Sequence, residues 1–108
     1  MTLVEKLKLV RTALYVPSIN ARALEKARGL DVDMLIIDLE DSVPAESKAD
    51  ARVAAAAEVA KGFPGKLVAI RLNGLDSPEL AADIAAVERS LADCFVLPKV
   101  EAASDIDP

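Results

Sequence analysis

The chain has 108 residues, room for one domain, and Ala is the commonest residue within its 53% hydrophobic content; 13 Lys and Arg against 18 Asp and Glu leave a net charge of −5. An acidic chain whose aromatic residues are only Tyr15, Phe63 and Phe95 has neither a basic stripe nor a stacking platform, so no nucleic-acid partner is expected. A lone cysteine, Cys94, excludes an internal disulfide, no apolar run approaches the roughly 18 residues of a membrane span, and Met1–Val10 lacks a cleavage site, so a soluble cytoplasmic protein is expected.

In chain order, Thr12–Pro17 reads as a short strand, followed by a helix with Asn20 as N-cap and Gly29 just past its end. Met34–Asp38 is a continuous apolar run of the kind buried on both faces of a parallel sheet. An Ala-rich helix covers Ala45–Lys61 and is stopped by Gly62, Pro64 and Gly65. Leu67–Leu72 is the third strand. Ser77, Pro78 and Glu79 form a helix start, and Leu80, Ile84, Val87 and Leu91 in that helix are spaced as one buried stripe. Cys94–Leu97 is the fourth strand, and Ser104 caps a helix that has scarcely begun at Pro108. This β-α alternation with short connections implies parallel strands in an α/β fold. Two architectures remain open on pattern alone: a doubly wound sheet and half of a (β/α)₈ barrel. The first strand is followed by Pro17-Ser18-Ile19-Asn20, without the glycines of a dinucleotide or phosphate loop.

In parallel α/β proteins chemistry collects at the C-terminal strand ends. Strand two ends in Asp38, Leu39, Glu40 and Asp41, where Asp38 and Glu40 share a face if the extended chain persists. Strand three carries Arg71 and Asn73, and strand four ends in Pro98, Lys99, Val100 and Glu101. Acids, a guanidinium and an ammonium on one rim suit a hydrated metal and an anionic substrate. Each residue also has a plainer reading. The acids are a solvated loop, Arg71 pairs internally with Glu40, Lys99 is a rim charge, Arg22 and Lys26 form a solvated helix face, and Cys94 is core.

The motifs add a resemblance. Arg11–Pro17 with Arg22 and Glu25–Ala27, then Asp33–Pro44 with Lys48 and Arg52, then Ile70–Asn73 with Asp83 in the following helix, and finally Leu97–Glu101, resemble, in the same order, those of the citrate lyase β-subunit and malyl-CoA lyase family of the HpcH/HpaI aldolase superfamily. The stretch Asp38-Leu39-Glu40-Asp41 is the most specific. The resemblance implies the N-terminal half of a TIM (β/α)₈ barrel, about four β/α units, with residues 1–108 as one partial, truncated barrel domain. It implies a Mg²⁺-dependent C–C lyase joining or separating an α-keto acid, oxaloacetate or glyoxylate, and the enolate of an acyl-CoA or acyl-carrier thioester. It also implies a trimeric or hexameric homo-oligomer. By the same resemblance Arg71 is the catalytic, substrate-binding group and Glu40 and Asp41 hold metal-bound water. Arg22 and Lys26 approach the thioester's phosphates, and Lys99 supports the substrate rim. The direct metal ligands are expected on later strands, outside this chain, and Ser18 stands where the family usually has glycine. Two rival expectations stay open: a non-catalytic short homologue that serves assembly or interaction, and an acyl-CoA thioesterase on the same fold.

Overall fold

The computed structural model describes residues 2–98, so Lys99 and the helix expected from Ser104 lie outside the described residues. The order is α1 (Leu3–Lys8), β1 (Ala13–Pro17), α2 (Ala21–Arg28), β2 (Met34–Asp38), a 3₁₀ turn (Ala45–Ser47), α3 (Lys48–Lys61), β3 (Leu67–Arg71), α4 (Leu80–Glu88) and β4 (Cys94–Val96). The strands lie in the spatial order β1-β2-β3-β4, every pairing parallel. That order separates the two architectures. A doubly wound sheet reverses strand order at a switch point, whereas a barrel adds each new strand beside the last. The fold is half of a TIM-type barrel.

Strand alternation divides the sheet into two faces. Leu35 and Ile37 of β2, with Val16, Val68 and Ile70 beside them, form one core with Leu24 and Ala27 of α2 and Ala51, Ala55 and Val59 of α3. The alanines let α3 lie close to the sheet. Met34, Ile36 and Ala69 form a second cluster on the opposite face, with Leu67, Cys94 and Val96 packed against it, and this face lines the interior of a barrel. Cys94 sits here half-buried, as core packing requires, and burial pushes its thiol pKa up.

Three sequence expectations change. The N-terminal segment, given no element above, is helical because Thr2 and Glu5 form a reciprocal capping box. Ser77 does accept a hydrogen bond from the Glu79 N–H at 3.1 Å, yet the helix proper starts at Leu80. Its buried line is not the expected stripe: Leu80 and Val87 pack against the core, whereas Ile84 is 40% and Leu91 78% exposed. The side chain between them on the inward face is Asp83, fully buried. A purely apolar template overlooks a buried carboxylate that has partners.

Candidate active site

Asp38 ends β2 and lies directly opposite Arg71, the last residue of β3, in the parallel register. Both face the barrel interior, and their side chains meet in a two-pronged ion pair: Arg71 Nε donates to Asp38 Oδ1 at 2.8 Å and Nη2 to Oδ2 at 3.0 Å. Glu40, expected as the internal partner of Arg71, is only a distant second at 3.9 Å. The chain explains why. After Asp38 it bends, so that the Glu40 N–H donates to Asp38 Oδ1 at 2.9 Å and the Ser42 N–H and hydroxyl donate to Oδ2 at 2.9 and 2.6 Å. The extended conformation that would have put Asp38 and Glu40 on one face does not persist. Asp38 is 2% exposed. Burial alone would raise its pKa, but the pair with Arg71, the Ser42 hydroxyl and the two backbone N–H groups outweigh it and hold the carboxyl well below the usual carboxylate range. The guanidinium pKa is raised in turn, chiefly by its hydrogen bonds to Asp38.

Arg71 is therefore used along one edge. The other edge, made by Nη1 and the second Nη2 hydrogen, has no partner among the described residues. The Tyr15 ring of β1 lies against the guanidinium, its centroid 4.6 Å from Arg71 Cζ. The result is a fixed cation, partly open, at the C-terminal end of the sheet.

The acidic loop is held separately. Lys48, at the start of α3, donates from Nζ to the carbonyls of Leu39 at 3.0 Å and Glu40 at 2.7 Å. Glu40 is half-buried and Asp41 exposed beside it. Asn73, expected to share the rim with Arg71, turns away: its backbone N–H and Nδ2 both donate to Asp83 Oδ2, at 2.8 and 2.6 Å. Arg52 from α3 donates to the other Asp83 oxygen at 3.1 Å. This tie fixes the turn after β3 and presents no side chain to a substrate. Ser18, after β1, donates its N–H to the Asp38 carbonyl at 3.1 Å, and its hydroxyl is buried without a partner among the described residues. Arg22 and Lys26 are both exposed on α2, and no described hydrogen bond or ion pair joins either to the rim.

Among the described residues no group of three or more side chains could hold a metal ion directly. With Asp38 committed to Arg71, the other carboxylates at this rim are Glu40, half-buried, and Asp41, exposed. Mg²⁺ keeps several waters and is commonly held through one or two carboxylates, so this donor set fits a water-mediated role and not a complete coordination shell.

A family model described as HpcH/HpaI aldolase/citrate lyase matches residues 11–108. A (3S)-malyl-CoA thioesterase of Cereibacter sphaeroides is 40% identical over 97 residues, covering 89% of this chain and 34% of that protein. A citrate lyase subunit beta of Leuconostoc mesenteroides subsp. cremoris is 36% identical over 99 residues, covering 90% and 32%. The chain thus spans about a third of the length of the curated relatives it matches. Among solved structures, the citrate lyase beta subunit of M. tuberculosis complexed with oxaloacetate and magnesium superposes with a TM-score of 0.79 at 26% identity, covering 94% of this chain and 44% of that one. A second, CitE from the same organism in complex with magnesium, acetoacetate and coenzyme A, gives a TM-score of 0.75 at 25% identity, covering 92% and 36%.

Proposed function

Because the chain belongs to the HpcH/HpaI aldolase/citrate lyase family, we propose that it forms half the barrel of a Mg²⁺-dependent enzyme that cleaves or forms a C–C bond in hydroxy-acyl thioesters. In this reading Arg71 receives the carboxylate of an α-keto acid such as oxaloacetate or glyoxylate. The observation that carries it is the open edge of Arg71, held at the strand ends by a buried carboxylate and an aromatic ring. A planar pair of N–H donors matches a carboxylate better than an ammonium would. In cleavage, a base takes the hydroxyl proton, the C–C electrons pass to the thioester's α-carbon, the hydroxyl carbon becomes the keto carbonyl, and the resulting enolate takes up a proton at its carbon to give the acyl thioester. Arg71 stays on the keto acid's carboxylate throughout and orients that carbonyl. Mg²⁺ supplies Lewis-acid polarisation of the keto oxygen. Glu40 and Asp41 order the ion's water shell. Arg22 and Lys26, exposed on the helix that leaves the same rim, attract the phosphates of CoA or a carrier arm. Lys99, one residue past Pro98, supports the rim.

Hydrolysis of the thioester is a second reading, favoured by the malyl-CoA thioesterases among the relatives. Product analysis of the complete protein incubated with malyl-CoA and Mg²⁺ separates the two. Glyoxylate plus acetyl-CoA supports C–C cleavage, and malate plus free CoA supports hydrolysis. No turnover of malyl- or citryl-thioesters would favour an assembly or interaction module.

The water-mediated role of the acids gives a smaller effect. Asp41→Asn is expected to weaken Mg²⁺ binding about 10–100-fold, the usual consequence of losing an outer-shell partner. Calorimetric titration of Mg²⁺ into the complete variant checks this. Abolished binding would mean direct ligation, and unchanged binding would return Asp41 to a solvated loop.

A further inference from the structure

Tyr15 was read from the sequence as an aromatic residue within the first-strand motif and given no role, yet its ring lies under the cation of the site. In register it pairs with Ile36, while Pro17, Asp38 and Arg71 align two residues further along their strands. Tyr15 therefore occupies the interior layer just below the ion pair, and the guanidinium rests on its ring, 4.6 Å from Cζ to the centroid. Tyr15 is 50% exposed on the interior face of this half-barrel.

We propose that Tyr15 is a positioning residue for the anionic substrate, acting through Arg71; this rests on the carboxylate-binding role of Arg71. An incoming carboxylate competes with Asp38 for the same cation. Asp38, pinned by three hydrogen bonds from Glu40 and Ser42, fixes the guanidinium in its plane. It does not stop the group from tilting out of that plane, which would swing the open edge away from the substrate. The ring does, by closing one face and by attracting the cation to its π-surface. The ring face carries the contact, so the phenolic hydroxyl is dispensable.

The test is calorimetric affinity of the complete protein, with and without Mg²⁺, for oxaloacetate and separately for acetyl-CoA, in Tyr15→Phe, Tyr15→Leu and Arg71→Lys. Tyr15→Phe is expected to bind oxaloacetate within about twofold of the parent. Tyr15→Leu should lose about tenfold, as expected for a partly desolvated cation–π contact, while acetyl-CoA affinity stays unchanged in both. Equal losses for the two ligands in Tyr15→Leu would mean that the ring only packs the barrel, and would overturn the proposal. So would a Tyr15→Phe variant as weak as Tyr15→Leu, which would shift the role to the hydroxyl. If Arg71→Lys weakens oxaloacetate and Tyr15→Leu does not, this inference alone fails. If Arg71→Lys has no effect, the reading of Arg71 fails with it.

Discussion

Arg71→Lys in the complete protein is expected to lower kcat/KM on the order of 100-fold, as typically follows loss of a directional donor to a reacting group. The guanidinium does three things at once: it grips both oxygens of Asp38, lies over the Tyr15 ring and offers a second pair of donors at its free edge. An ammonium is a compact point charge without a plane. It can answer Asp38 or the substrate carboxylate, but not both with two bonds each. Steady-state kinetics with varied thioester and keto acid measure the effect. Near-parental kcat/KM would remove Arg71 from the substrate site.

Asp38→Ala is expected to produce the largest loss of stability, about 3–5 kcal/mol, because removing one partner of a buried pair strands the other. It also leaves the Glu40 and Ser42 donors without their acceptor, so the acidic loop loosens. Chemical denaturation of the complete protein at neutral pH gives the value, and a change below about 1 kcal/mol would be the surface-pair result. The same carboxylate sets an acid limit. Its folded pKa lies below its unfolded value, so its contribution is fully present above about pH 4 and is lost as pH falls toward the folded pKa. The parent should lose stability on acidification through that window, and Asp38→Asn, with no proton to take up there, should lose less.

Much of the fold was legible because the strands and helices differ in period. Met34–Asp38, apolar throughout and buried at every position, could only be a central parallel strand. Half-barrel and open sheet were indistinguishable by period, since both alternate strand and helix; strand order, a property of space and not of sequence, separates them. At the site, the residue types and the strand ends were legible, whereas the pairings were not. Alternation carried past the end of β2 put Asp38 and Glu40 on one face, and the bend built by Asp38's own side chain defeats that extrapolation, so the pairing of Arg71 with Glu40, one reading of the sequence, survives only at 3.9 Å. Aligning the last residues of β2 and β3 would have found Asp38 as the partner, given the register. Asp83 was legible as a position shared with the resembling family, but its burial was not, because a carboxylate on a helix is ordinarily read as solvated and only the arrival of Arg52 and Asn73 makes burial tolerable. Lys48 likewise serves two carbonyls that no sequence pattern displays.

A crystal structure of the complete protein with Mg²⁺ and oxaloacetate addresses the site most directly. The keto acid's carboxylate should lie within hydrogen-bond distance of Arg71 Nη1 and Nη2, with Asp38 still on Nε and Tyr15 still against the ring-facing side of the guanidinium. A carboxylate bound away from Arg71, or one that has displaced Asp38 from it, would contradict the arrangement derived from this half-barrel.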